Sequence, residues 1–161
     1  MKSLVVFYSL DGNTKLIADL IAEESDVEIL QLKPKKEIPK SGFKKFFWGG
    51  KSIVFKEKPI LQNEMPDIKK YDIVFIGTPI WSGSYAPPVY TFISECPMIN
   101  KKLAFFACHS GGGAEKCFDK LRKDFHNNTL IGSISFDNPI KMDRDNIKYQ
   151  VSEWLNNILK Y

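Results

Sequence analysis

Five short apolar runs separated by stretches of helical period constrain this chain more than any other feature of it. Residues 3–8 (SLVVFY) are β-branched and aromatic and end at a Ser-Leu-Asp-Gly-Asn turn, which predicts a strand buried on both faces. From Asn13 the period changes: Leu16, Ile17, Leu20 and Ile21 recur at helical spacing and predict a helix to about Ser25. Residues 27–32 (VEILQL), 72–77 (DIVFIG), 102–108 (KLAFFAC) and 130–136 (LIGSISF) predict four further strands. Helical patterns run from Pro87 to Glu95, from Ala114 to His126 and from Asp143 to Lys160, the last with Ile147, Val151, Trp154, Leu155 and Ile158 on one face. Such alternation is the signature of an α/β fold: a doubly wound, five-stranded parallel sheet with right-handed crossovers and helices on both faces.

At 161 residues the chain fits one domain, 1–161. The exception to its even spacing is a long connection at about 34–66 between the second and third strands. There Phe43, Phe46 and Phe47 predict a short helix ending at Gly49-Gly50, and Ser52-Ile53-Val54-Phe55 a small extended flap. The charge is concentrated in the same place. Residues 33–58 carry nine lysines and two glutamates, so one segment turns an otherwise mildly acidic chain into one of net charge +4. A basic segment interleaved with aromatics has three readings, a roof over a ligand site, a docking surface for an acidic partner or a nucleic-acid stacking surface, and solvated lysines over core aromatics argue against the last. No nucleic acid and no membrane partner is expected.

No apolar run approaches a membrane span, and the N-terminus lacks the cleavage site of a signal peptide, so a cytoplasmic location is expected. Cys96, Cys108 and Cys117 are odd in number without C-x-x-C spacing and are expected to be reduced packing residues. No Cys/His cluster has metal-ligand spacing, so no metal site is expected.

Ligands of a parallel sheet bind at the carboxyl ends of its strands. After the first strand, Ser9-Leu10-Asp11-Gly12-Asn13-Thr14 opens a helix, offering hydroxyls, a glycine and free amides to an anion; the same residues also make an ordinary N-cap turn. It is neither a dinucleotide fingerprint nor a P-loop. After the third strand, Thr78-Pro79-Ile80-Trp81-Ser82-Gly83-Ser84-Tyr85 offers flat surfaces for an aromatic ligand, or else Trp81 packs over the end of the sheet. After the fourth, His109-Ser110-Gly111-Gly112-Gly113 allows close approach of a planar group, or merely a tight turn. His109 invites an acid or base role, but a hydrogen-bonded histidine without catalytic duty is the plainer expectation.

The order YSLDGNT, GTPIWSGSYAPP, HSGGG resembles the flavodoxin-like, FMN-binding family, with matching elements over nearly the whole chain. The resemblance implies strand order 2-1-3-4-5 with flavin mononucleotide (FMN) at the switch point. It places the phosphate on Ser9, Leu10, Gly12, Asn13 and Thr14. The flavin ring falls on Thr78, Pro79, Ile80, Trp81, Ser82 and Gly83, with Ser110, Gly111 and Gly112 at the other rim. Asp11 is then expected to face solvent, away from a phosphate. Tyr85 or no residue at all covers the second ring face, and the Ser82-Gly83 peptide is the candidate to turn on reduction.

The implied function is electron transfer through FMN, with a redox protein or NAD(P)H as partner, acidic and docking near Lys33–Lys58. The alternatives are an FMN-dependent NAD(P)H or quinone oxidoreductase and, from another class, a flavin-free signalling or binding module of the same fold.

Overall fold

The computed structural model describes residues 1–36 and 58–160, and the expected helix at Phe43–Phe47 and the flap at Ser52–Phe55 lie outside them. The chain begins with β1 (Ser3–Phe7), whose five residues are all buried, and α1 (Asn13–Glu24), followed by β2 (Val27–Gln31). Next come β3 (Ile73–Trp81), β4 (Ser84–Tyr85) and α2 (Pro87–Glu95). The rest is β5 (Lys102–His109), α3 (Ala114–Asp124), β6 (Thr129–Asp137) and α4 (Arg144–Ile158). The sheet order is β2-β1-β3-β5-β6, all parallel, with β4 antiparallel on the end of β3. Leaving aside that two-residue β4, this is the order 2-1-3-4-5 expected from the resemblance. No helix among the described residues is long and apolar enough to cross a membrane.

Alternation along the strands sorts the apolar side chains into two cores. Val5, Phe7, Ile73, Phe75 and Phe106 face α1 and α4, which contribute Ile17, Ile21, Val151 and Trp154. Leu4, Val6, Val74, Ile76 and Phe105 face α2 and α3, which contribute Val89, Phe92, Phe118 and Leu121. Two covered faces explain why β1, β3 and β5 read as continuous apolar runs. The edge strands β2 and β6 are only partly buried, as their mixed sequences require. The register of β6 slips between Leu103 and Ala104, so Ile131 is passed over in the pairing.

The long connection after β2 is closed at its base. Pro34 bridges Leu61, with Lys35 N donating to Ile60 O at 2.8 Å and Gln62 N to Lys33 O at 2.7 Å. Asn63 fastens the same place, accepting from Lys33 N at 2.7 Å and donating to Gln31 O at 2.9 Å. The described residues on either side of the long connection, 33–35 and 60–62, are therefore fastened to one another.

Cys96, Cys108 and Cys117 are all free and buried, as expected of packing residues. Burial pushes the thiols of Cys108 and Cys117 up to about 12. In the unfolded chain a thiol titrates near about 8.5. Between those values the unfolded chain has released protons that the folded chain keeps, so this contribution is complete below about pH 8.5 and is lost as pH rises. The expected slope is about 1.4 kcal/mol per pH unit for each thiol. Urea midpoints measured at about pH 8 and about pH 10 should fall accordingly. The double variant Cys108→Ala/Cys117→Ala should show a flatter dependence, and an equal slope would refute the assignment.

Candidate functional site

The carboxyl ends of the parallel strands meet at a shallow cleft of about 70 Å³ lined by Asp11, Asn13, Pro79, Ile80, Trp81, Cys108, His109, Ser110 and Asn138. Its position, between β1 and β3 where the strand order reverses, is the topological switch point of such a sheet.

The first wall is the turn into α1. Gly12 sits at φ 93°, a conformation that favours glycine, and an added Cβ there would come within 3.3 Å of Ile140 Cδ1. Ser9 Oγ accepts from the amides of Gly12 and Lys15, both at 3.2 Å, so a side-chain oxygen occupies the point where the helix amides converge. Asp11 is exposed, as expected, yet it borders the cleft. Its carboxylate is turned onto its own loop, accepting from Asn13 N at 3.1 Å and Asn13 Nδ2 at 3.0 Å. The Thr14 hydroxyl is buried with no hydrogen-bond partner among the described residues. The Cys108 thiol lies beside it, a weak partner whose contact falls outside hydrogen-bond geometry.

The second wall differs from the sequence expectation. Residues 78–81 are not loop: β3 continues through them, and Trp81 pairs with Ser84 and Ile80 with Tyr85 across the two-residue turn Ser82-Gly83. Both turn residues have positive φ, 51° and 71°, the geometry of the hairpin turn whose twist matches the flanking strands. Thr78 is buried inside this unit; its hydroxyl donates to Pro79 O and accepts from Ala86 N, both at 2.9 Å, tying the hairpin to the start of α2. Trp81 is only 3% exposed and stands edge-on to Tyr8, with ring centroids 5.8 Å apart. It thus packs over the sheet end and borders the cleft together. Tyr85, expected as a cover for a ring face, does not line the cleft. The short hairpin turns it toward α2 and α3, where it stacks on Tyr90 under Lys120, its hydroxyl bonded to Asp124. Burial and that bond push its phenol far above the ordinary tyrosine value.

The third wall is the loop after β5, with Gly111, Gly112 and Gly113 all at positive φ. Of the expected residues, Asn13, Pro79, Ile80, Trp81 and Ser110 line the cleft directly. Ser9, Leu10, Gly12, Thr14, Thr78, Ser82, Gly83, Gly111 and Gly112 belong to the same three walls without lining it.

A fourth wall was missed in the sequence. Asn138, at φ 43°, follows β6 and donates through its backbone to His109 O at 2.9 Å. Beyond it Ile140 N donates to Asn13 Oδ1 at 3.1 Å. The Asn138-Pro139 pair directly after the fifth predicted strand was the available signal.

A sequence profile described as Flavodoxin matches residues 2–158. The chain belongs to the flavodoxin family. Among solved structures, this flavodoxin-family chain is 21% identical to a Bacteroides uniformis protein described as a candidate flavoprotein. The TM-score is 0.79 over 93% of this chain and 97% of that one. A flavoprotein in complex with FMN from Lactobacillus acidophilus is 23% identical, with a TM-score of 0.70 over 95% and 97% of the two chains. Oxidised Flavodoxin 2 from Bacillus cereus is 18% identical, at 0.61 over 99% of each. At these identities the likeness shows the fold. No curated protein sequence matches the chain.

Proposed function

We propose that the cleft binds FMN without a covalent bond and that the protein carries electrons through it. The observation that carries this reading is a cleft on the switch point whose first wall is the glycine turn into α1, where the buried Thr14 hydroxyl behind that wall has only the Cys108 thiol beside it. An unpaired buried hydroxyl costs about 1–3 kcal/mol, and a phosphate oxygen is the acceptor a helix N-terminus favours. The Lactobacillus acidophilus relative, crystallised with FMN, supports the choice of ligand.

The flavin supplies the redox chemistry when bound. Ser9, Leu10, Gly12, Asn13 and Thr14 would hold the phosphate at the turn into α1. Asn13 turns the Asp11 carboxylate onto its own loop. Pro79, Ile80 and Trp81 border the ring on the hairpin side, with Thr78, Ser82 and Gly83 fixing that hairpin. Ser110, Gly111 and Gly112 border it on the other.

Thr14→Val tests the reading with two effects of opposite sign. The ligand-free variant should melt higher, because the unpaired hydroxyl is gone. FMN binding should weaken by about 1.5–3 kcal/mol, the value of a hydrogen bond to a charged group, while riboflavin binding changes little. Equal losses for FMN and riboflavin in fluorescence titrations would place the phosphate elsewhere, and no uptake of either would overturn the flavin reading.

A further inference from the structure

His109 ends β5 and is largely buried, its side chain 15% exposed. Its Nδ1 accepts a hydrogen bond from Gly112 N at 3.1 Å. Only a neutral imidazole, unprotonated at Nδ1, can accept that bond. The loop it reaches is Gly111-Gly112-Gly113, at φ 107°, 101° and 90°. An added Cβ at Gly111 or Gly112 would meet nothing within 4 Å, so packing does not fix these two residues. Glycine backbone is the costliest kind to order, and a bond from a half-rigid ring at the strand end is a means of ordering it. Asp137 Oδ1 stands 4.0 Å from the same Nδ1. A proton on Nδ1 therefore exchanges one partner for another: the Gly112 amide is repelled and the Asp137 carboxylate attracted.

We propose that His109 is the positioning residue of the glycine loop, and that protonation of its Nδ1 releases the loop and weakens ligand binding at the cleft. The loop is held by neutral His109, so a ligand that needs the held loop binds best at higher pH and loses affinity as pH falls. Besides Asp137 on β6, the charged group lining the cleft is Asp11, and Lys116 of α3 lies beside Gly83, against which Gly113 packs. The end of β3 presents Pro79, Ile80 and Trp81, which carry no charge, and the neighbouring Cys108 thiol is held neutral by burial.

The inference rests on the flavin reading for its ligand but not for its structural half. Riboflavin is the probe, because FMN has a phosphate that titrates near pH 6 by itself. Riboflavin affinity of the wild type should fall about three- to tenfold between about pH 8 and about pH 5.5, the worth of one hydrogen bond that orders the loop. His109→Asn offers an amide oxygen near the place of Nδ1 and does not titrate, so it should bind as wild type does at the higher pH and show no fall. His109→Ala should bind weakly throughout. In the ligand-free protein the Gly112 amide resonance should move between the same two pH values and stay still in His109→Asn. A flat wild-type profile, a His109→Asn profile that keeps the slope, or a Gly112 amide indifferent to pH would each overturn the proposal. If riboflavin binds at no pH, the flavin reading fails, and the Gly112 resonance still decides the role of His109.

Discussion

Gly77→Ala is expected to be the most damaging single-methyl substitution in the fold, costing about 3 kcal/mol or more. Gly77 pairs directly with Phe106 across the β3–β5 ladder, and the phenylalanine ring lies over the glycine. A Cβ at position 77 would fall 2.1, 2.3 and 2.8 Å from three carbons of that ring. Phe106 has 0% exposure and sits in the core with Val5, Phe7, Phe75 and Phe136, so it has no solvent to swing into. Overpacking of a rigid core costs about 1–3 kcal/mol where the neighbour can give way, and displacing a buried Phe about 3–5 kcal/mol. Against a typical total of 5–15 kcal/mol this is a large fraction. The urea midpoint reads it. Phe106→Leu in the Gly77→Ala background should recover part of the loss although it is destabilising in wild type, since contacting sites are not additive. A midpoint unchanged by Gly77→Ala would show that the ring does not lie where described. Thr78 is the next residue, so the same substitution disturbs the strand from which the second wall of the cleft is built.

The parts legible in the sequence are those fixed by local period. Leu16, Ile17, Leu20 and Ile21 announced α1, and Ile147, Val151, Trp154, Leu155 and Ile158 became the buried face of α4. Strand order was not legible in this way; it came from the resemblance of three loops. The hairpin was missed because its turn is Ser82-Gly83 rather than Asn-Gly, and serine at φ 51° is an unusual choice for the left-handed region. With the turn unseen, Thr78–Trp81 read as loop and Tyr85 as a free aromatic. Both errors follow from one pair of dihedral angles that hydrophobic pattern does not encode. The wall made by Asn138 depends on pieces of chain far apart in sequence. Ile140 and Asn13 are 127 residues apart, and only closure of the sheet brings them together.

That hairpin carries the second large effect, expected for Gly83→Val. A β-branched residue forced to the φ of 71° found at Gly83 costs about 1–2 kcal/mol from its Cβ alone, and the two-residue turn leaves no neighbouring residue to absorb the change. The added Cβ would also come 2.7 Å from Lys116 Cδ, though a lysine stem can move aside. Packing extends the damage: a Cβ built on Gly113 would lie 3.4 Å from Gly83 Cα, so the hairpin turn and the glycine loop rest on one another. Distorting one therefore shifts two walls of the cleft together. Stability should drop by about 2 kcal/mol, and FMN affinity by about tenfold or more, each 1.4 kcal/mol of misplacement being a factor of ten. Gly83→Asn separates the causes, because asparagine enters the left-handed region at small cost while carrying the same Cβ toward Lys116. If conformation decides, Asn stays within about 1 kcal/mol of wild type and binds FMN, whereas Val fails in both. If Asn and Val lose equally, crowding against Lys116 is the cause. Should Val lower the urea midpoint yet leave FMN titrations unchanged, the hairpin is scaffold only and Pro79, Ile80 and Trp81 do not form a wall of the flavin site.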